Sequence, residues 1–340
     1  MLVWIDFENA PHVWVFKEFI ERFRKDNIDV LITARNFSYT LQLCDYFGLK
    51  PIIIDGKCAS KSNLSKLKAI IDRGLKLKEF IKKINIKPIL SISHGSRSQA
   101  FASYLCKIKS ISLDDYEHSF KLFNYFISYL LTPFPIKPEK WGIFKGKVIN
   151  YPGLKEELYL FNSDNYTINE LEIFDNNYLN VVFRPESNLS HYSSKLSLEL
   201  QQKLIERFSE IEGLNIVVLP RNIEQKNELV ATFKDKNIRF SIPKYVLNGA
   251  ALIYNSDIVI GGGGTMTREA AILGIPSYSF FGGKLGEVDI YLNKIGKLNI
   301  LRTKEDINNI IFKKHKKALP KIGKEAFNFV YDFFLKNLKI

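Results

Sequence analysis

The chain has 340 residues, of which 46% are hydrophobic and 25% charged, and it carries a formal net charge of +13. These values exclude a single small domain, a disordered polymer and a low-complexity chain, and leave room for two domains that each bury a core. The positive excess suits nucleic acid, anionic lipid or phosphorylated small molecules, and charge alone does not choose among them.

Cys44, Cys58 and Cys106 are an odd count at unrelated spacings, without a C-x-x-C pair or a metal-ligand pattern. They read as reduced thiols of a cytosolic protein. The N-terminus enters a strand-like Leu2-Val3-Trp4-Ile5 directly, and no stretch approaches the ~20 apolar residues of a membrane span. The expected location is cytoplasmic, with no secretion and no bilayer crossing.

In chain order, Val3 to Phe7, Asp29 to Ala34, Pro51 to Asp55, Pro88 to Ser93 and Ser110 to Asp114 read as short strands separated by helical or polar segments. Such alternation predicts a parallel sheet wound on both faces, whose ligands sit beyond the carboxyl ends of the strands. The polar residues after strands are therefore the ones to inspect. Asp6-Phe7-Glu8-Asn9-Ala10-Pro11-His12 follows the first strand, with Pro11 placed for a first helical turn. Arg35-Asn36-Phe37-Ser38 follows the second strand. His94-Gly95-Ser96-Arg97-Ser98 follows the fourth, and Asp114-Asp115-Tyr116-Glu117-His118 the fifth. Several titratable side chains thus converge on one sheet edge, with His12 and Glu117 the leading candidates for proton transfer. A hydrogen-bonded loop histidine and a helix-capping aspartate are the plainer alternatives.

Ten basic residues from Lys57 to Lys87 face only Asp72 and Glu79 in that stretch, as a solvated helix face or an anion-binding one. From Phe120 to Lys147 aromatic residues mix with lysines, which suits either core packing or peripheral contact with anionic lipid. Tyr151-Pro152-Gly153 and the polar Asn162 to Asn165 mark the exit from a first domain.

The second half repeats the alternation, with strands expected at Asn180 to Phe183, Asn215 to Leu219, Ile238 to Ser241, Asp257 to Ile260, Pro276 to Phe280 and Asn299 to Leu301. Two of them run into Arg184-Pro185-Glu186 and Pro220-Arg221-Asn222, and arginine suits bidentate phosphate contacts. A third runs into Gly261-Gly262-Gly263-Gly264-Thr265 and then helix formers. Strand, glycine loop and helix make a phosphate cradle, because glycine admits an anion close to the backbone and the helix start attracts negative charge. A glycine crossover that only packs closely is the alternative. Glu269, a turn into that helix, is placed to bind ribose hydroxyls. After Pro320 the pattern Ile322, Ala326, Phe329, Val330, Phe333, Phe334 and Leu338 predicts a closing helix with one apolar stripe.

Two consecutive doubly wound domains with this loop and a leftover terminal helix resemble the GT-B superfamily. That superfamily includes the lipid-linked N-acetylglucosaminyltransferase of peptidoglycan synthesis and the non-hydrolysing UDP-N-acetylglucosamine 2-epimerases. Within it, Trp4-Ile5-Asp6-x-x-Asn9-Ala10-Pro11-His12 and Gly261-Gly262-Gly263-Gly264-Thr265-Met266-x-Arg268-Glu269-Ala270-Ala271 look like a prokaryotic domain-of-unknown-function family, with Leu31 to Arg35, Ser93 to Ser96, Tyr151 to Gly153 and Leu219 to Arg221 in keeping. Phe7-Glu8 departs from the smaller or less charged residues expected there.

The resemblance implies an α/β, GT-B-like chain of two Rossmann-like domains facing a cleft: 1–160, with the helix 321–340 packing back on it, and 161–320. It implies that Gly262, Gly263, Gly264 and Thr265 hold a donor diphosphate and Glu269 the ribose, with Asn9, His12 and His94 on the acceptor side. Ser96 and His118 share that edge. The first function to follow is an inverting, metal-independent glycosyltransferase that takes a UDP-linked sugar to a glycan or lipid-linked acceptor, with no further cofactor. There Arg184 and Arg221 stabilise the departing diphosphate, while His12, or its rival Glu117, accepts the proton. The second is a nucleotide-sugar 2-epimerase built on Asp114, Asp115, Glu117 and His118, although the His-x-Glu-Ala-Gly run of those enzymes is not reproduced. A non-catalytic polyanion binder using the basic run is the third, and no nucleic-acid module is recognisable. For a transferase, peripheral attachment to the inner face of the membrane follows from the aromatic and lysine segment.

Overall fold

Short runs of β-branched and apolar residues, closed by polar or glycine residues, become parallel strands in a computed structural model that describes residues 1–56, 62–167, 172–186, 195–245 and 247–338. Lys57, Cys58 and Lys61 fall outside the described residues. The chain folds into two compact units, the first made of Met1–Tyr159 with Gly323–Ile340 and the second of Leu160–Ile322.

The first unit is built on β1 (Leu2–Phe7), β2 (Asp29–Ala34), β3 (Ile52–Ile53), β4 (Leu90–His94), β5 (Lys109–Leu113), β6 (Tyr129–Pro133) and β7 (Val148–Tyr151). All pairs are parallel and the order is β3-β2-β1-β4-β5-β6-β7. The order reverses at β1 and β4, the place where a doubly wound sheet opens a crevice beyond its carboxyl ends. Val3, Trp4, Ile5 and Phe7 are all wholly buried, as required of a central strand covered on both faces.

Two elements differ from the sequence expectation. Strand β6 lies inside the segment read as aromatic and lysine-rich, and β7 directly follows that segment; Tyr129-Leu130-Leu131-Thr132-Pro133 forms a strand because it is an apolar run without alternation and a proline ends it. Pro51 to Asp55 shrinks to a two-residue edge strand whose Ile52 and Ile53 stay exposed.

The helix Ala10–Lys25 places Pro11 in its first turn and three basic residues in its last, in line with the helix dipole. It buries Phe16, Phe19, Ile20 and Phe23. The closing helix Glu325–Leu338 covers the same face: Phe327 stacks on Phe19 at 4.6 Å and Tyr331 meets Phe23 at 5.1 Å. Its buried stripe runs through Ala326, Phe327, Val330, Tyr331, Phe334 and Leu338, while Phe329 is exposed, so the stripe is one position off the expected one at Phe329.

A buried polar chain fixes the centre of the sheet. Asp6 is fully buried at the end of β1, and Arg73, from the helix Asn63–Lys83, grips it with two hydrogen bonds of 2.7 and 2.8 Å. The same carboxylate accepts from Thr33 and Ser96 hydroxyls at 2.6 Å each, and Trp4 Nε1 donates to Thr33 at 2.9 Å. Arg73 also donates to Glu8 at 3.2 Å and to the Ile54 carbonyl at 2.8 Å. Burial works against the Arg73 charge, but Asp6, Glu8 and Asp55 more than offset it and raise its pKa. Thus Arg73, one of the basic run, points inward, and Phe7-Glu8 makes sense as a buried ring followed by the guanidinium's second partner.

The second unit comprises β8 (Leu179–Arg184), β9 (Leu214–Val218), β10 (Phe240–Ser241), β11 (Ile258–Gly261), β12 (Ser277–Ser279) and β13 (Asn299–Ile300), parallel in the order β10-β9-β8-β11-β12-β13. Phe183 sits at the centre of its core, with Phe208, Phe233 and Phe280 within 6.4 Å. The reversal here falls at β8 and β11, so Arg184 and the glycine loop leave the sheet side by side.

Removing Asp6 strands a buried guanidinium, so Asp6→Ala is expected to cost roughly 3–5 kcal/mol of stability, and pairing it with Arg73→Met should recover part of the loss. Urea denaturation of the native chain and the two variants measures both; a double variant no more stable than Asp6→Ala would contradict the account.

Candidate functional site

The crevice of the first unit opens after β1, β4 and β5. Asn9, extended and exposed, starts the helix Ala10–Lys25 without a side-chain cap, and His12 lies in its first turn. His12 is buried, and its Nδ1 accepts the Glu8 N–H at 3.3 Å. That bond uses the Nδ1 lone pair, so the neutral ring carries its proton on Nε2. Burial pushes the His12 pKa well below its usual value, with His94, Lys155 and Arg73 adding to the effect and Asp115 opposing it. Burial thus favours the neutral ring, whose Nε2–H is available as a hydrogen-bond donor.

His94 ends β4, and its ring centroid is 5.2 Å from that of His12. Gly95 follows with φ +64°, a left-handed turn that suits glycine and lets the chain enter the helix Arg97–Leu105 at once. His94 Nε2 lies 3.1 Å from Asp115 Oδ1, and Lys155 Nζ lies 2.7 Å from Asp115 Oδ2. Asp115 and Lys155 are 7% and 4% exposed, whereas the His94 side chain keeps 16%. Lys155 also lies 3.3 Å from the fully buried Glu156. Burial raises the Asp114 pKa, with Asp115 adding and His94 opposing, and its carboxylate accepts from Tyr116 N–H and the Ser119 hydroxyl.

Glu117 is 1% exposed and stands 3.3 Å from His118 Nε2. Ser96, expected on the acceptor side, is 2% exposed; its hydroxyl donates to Asp6 and accepts from Gln99 N–H as helix cap. Its polar capacity is therefore spent on structure.

In the second unit, Arg184 donates to the carbonyls of Leu219 and Pro220 at 2.7 and 3.2 Å, and Arg221 Nε to that of Pro185 at 3.2 Å. The two post-strand segments thus hold each other's arginines. Gln225 ties them further, donating to the Glu186 carbonyl at 2.6 Å and accepting from Arg221 N–H at 2.9 Å. Burial lowers the Arg221 pKa, partly countered by Glu186.

The glycine loop divides by function. A Cβ at Gly262 would stand 2.8 Å from Phe280 and 2.9 Å from the Glu186 Cα, so glycine is needed there for packing. At Gly263 a Cβ would meet only Arg221 Nη2, at 2.9 Å, and at Gly264 the Arg268 guanidinium, at 3.2 Å. The helix Gly264–Leu273 begins without a side-chain cap, and the half-buried Thr265 hydroxyl has no hydrogen-bond partner among the described residues. First-turn N–H groups, a hydroxyl and an arginine head together make an anion cradle. Arg268 itself is locked to Asp289 by two bonds of 2.7 and 2.8 Å. Glu269, expected to face a ligand, is 5% exposed.

Sequence reading missed Lys155 and Gln225. Lys155 follows a strand that was not anticipated, and Gln225 is signalled only by its place one turn after Asn222, whose side chain caps that helix.

Gly262→Ala is expected to destabilise the fold by about 1–3 kcal/mol through backbone displacement, whereas Gly263→Ala should stay within about 1 kcal/mol and act by moving Arg221. Thermal unfolding separates the two, and equal losses would refute the division.

The His12 shift has a pH signature. Its folded pKa is lowered, so its stabilising contribution is complete above the unfolded value of about 6.5 and is lost as pH falls toward the folded value. Urea midpoints at about pH 7.5 and 5 should fall less for His12→Gln than for the native chain. Equal falls would assign the acid sensitivity elsewhere.

Comparison with known proteins adds three likenesses. "Uncharacterized protein MJ0665" of Methanocaldococcus jannaschii is 32% identical over 323 residues, covering 91% of this chain and 89% of that one. The UDP-GlcNAc 2-epimerase of Neisseria meningitidis, solved bound to UDP-GlcNAc, superposes with a TM-score of 0.75 at 15% identity, over 99% of this chain and all of that one. MurG of Acinetobacter baumannii does so with a TM-score of 0.51 at 13% identity, over 99% and 100%. The chain therefore shares its fold with nucleotide-sugar enzymes of the GT-B superfamily. Residues 1–334 match the family described as protein of unknown function DUF354, and the chain belongs to that family.

Proposed function

We propose that the chain is a nucleotide-sugar enzyme, an inverting glycosyltransferase that needs no metal and uses a UDP-linked donor. The observation that carries the reading is the anion cradle: Arg221 over Gly263, Arg184 beside it, Thr265 and an uncapped helix start. Positive charge held in place by carbonyl contacts suits a diphosphate whose charge grows as the glycosidic bond breaks. These groups supply the neutralisation the leaving group requires.

The base is His94. Its Nε2 is buried 3.1 Å from Asp115 Oδ1 without forming a hydrogen bond, which leaves Nδ1 for the acceptor, and Lys155 keeps the carboxylate oriented. An acceptor hydroxyl gives its proton to Nδ1 as its oxygen bonds to the anomeric carbon, and the diphosphate leaves with the electron pair. His12, neutral with its proton on Nε2, donates a hydrogen bond. Exposed Tyr104, Phe120, Leu122, Tyr125 and Ile143, with Arg97 against Phe120, support peripheral contact with an anionic bilayer and hence a lipid-linked acceptor. Among the described residues no helix is long and apolar enough to cross a membrane.

The second reading, a nucleotide-sugar 2-epimerase, is favoured by the epimerase likeness and by the acidic pair Asp114 and Asp115, whose environments differ: burial raises the Asp114 pKa while Asp115 is paired to Lys155.

UDP is expected to raise the melting temperature, and Arg221→Ala to weaken UDP binding at least about tenfold, the loss of a charged hydrogen bond. Turnover of UDP-GlcNAc in His94→Ala should fall roughly 10²-fold or more with UDP affinity unchanged. Absence of any UDP shift overturns the nucleotide reading. Formation of the 2-epimer from UDP-GlcNAc alone, followed by NMR, replaces the transferase with the epimerase.

A further inference from the structure

A second cavity lies in the first unit at the opposite, amino-terminal edge of the sheet, away from His12 and His94. It has a volume of about 660 Å³, within the ~300–1,000 Å³ of small-molecule sites. Four segments wall it: Ile81 and Lys82 at the end of the helix Asn63–Lys83, Lys87 to Ile89 before β4, Leu105 to Lys109 from the end of the helix Arg97–Leu105 to the first residue of β5, and Asn337 and Leu338 of the closing helix.

The wall is unusual in chemistry. Its apolar part is aliphatic, from Ile81, Pro88, Ile89, Leu105, Ile108 and Leu338, with no aromatic ring to stack a base. Asn337 alone offers a side-chain amide, too little for a sugar. No acidic side chain lines it, yet four lysines do. Lys87 is spent, its ammonium donating to the carbonyls of Ile81, Lys82 and Ile84 at 2.7 Å each, where it caps the helix. Lys82, Lys107 and Lys109 are exposed and have no carboxylate partner among the described residues. Their stems can cover aliphatic surface while the ammonium groups stay at the rim. Cationic rim and aliphatic interior together complement a molecule with one anionic end and a saturated or monounsaturated body.

We propose that this cavity, open on one side, binds a long-chain aliphatic carboxylate, a free fatty acid, with the chain along Ile89, Leu105 and Ile108 and the carboxylate at Lys82, Lys107 and Lys109. The site is separate from the nucleotide cradle and the histidine crevice, so its occupant is neither donor nor acceptor.

Cys106 lines the cavity and reports on it. In a Cys58→Ser background, with Cys44 fully buried, the rate at which a soluble aryl disulfide modifies Cys106 is measured in the full-length chain. Saturating sodium oleate should slow that reaction at least tenfold. Reversing the rim (Lys82→Glu, Lys107→Glu, Lys109→Glu) should raise the oleate concentration needed at least tenfold, with an unchanged melting temperature in the absence of oleate. Leu105→Trp, which fills the cavity and keeps the charges, should abolish protection. Failure of oleate to protect Cys106 overturns the proposal. So does equal protection by oleyl alcohol, which would mark an apolar crevice indifferent to charge. Protection by phosphatidylglycerol vesicles but not by oleate would make the lysines part of a bilayer contact and also overturn it.

Discussion

The structure of the first unit depends on one desolvated ion pair. Asp6 has no contact with water, and a buried carboxylate is tolerable only when its acceptor sites are filled. Four donors fill them: two nitrogens of Arg73 and the hydroxyls of Thr33 and Ser96. Those donors come from β2, the loop after β4 and the helix that follows β3, so a single carboxylate fixes three connections around the sheet reversal. His12 and His94 flank this point in sequence and space. The network reaches His12 through Glu8, whose carboxylate accepts from Arg73 and whose N–H donates to His12 Nδ1, which is how a rigid element supports a site made of short loops.

The second unit solves the corresponding problem with backbone proximity. Gly262 lets the loop after β11 pass within van der Waals reach of Glu186, and its N–H is accepted by the Arg184 carbonyl at 2.9 Å. Gln225 then bridges the segments after β8 and β9. Arg184 and Arg221 spend their donors on carbonyls of each other's loops, which costs some hydrogen-bonding capacity toward a ligand but fixes where the positive charge stands. Preorganisation of that kind favours a charge that develops during reaction over one that is merely bound.

Much of this was legible in the residues. Strand ends carry chemistry in a parallel sheet, so His94, Asp115, Arg184, Arg221 and the glycines could be picked out from position alone. The edge and its reversals follow from alternation of strand and helix. What could not be read is what each side chain spends itself on. Ser96 looked like a ligand contact and is a cap bonded to Asp6; Arg73 looked like part of a solvated face and is the most buried charge of its helix. Both depend on contacts more than 60 residues away in the chain, which local pattern does not encode. Lys155 was hidden for another reason: β7 is a four-residue edge strand just after the segment of aromatic residues and lysines, and no periodicity announces it.

The distribution of cations gives the charge of +13 a meaning that the total lacks. Lysines make up the solvated excess on the helix Asn63–Lys83 and elsewhere, whereas Arg73, Arg184, Arg221 and Arg268 are buried or half-buried, each held by carboxylates or carbonyls. The planar, weakly hydrated guanidinium survives this burial with its charge intact and its direction fixed; an ammonium on a flexible stem does so less readily. Lys155 is the exception, and it needs Asp115 and Glu156 on either side to remain. In the first unit that lysine brings an additional positive charge close to His12 and so helps to keep it neutral, while through Asp115 it steadies His94. One buried cation thereby bears on two imidazoles whose centroids are 5.2 Å apart, on His12 directly and on His94 through Asp115.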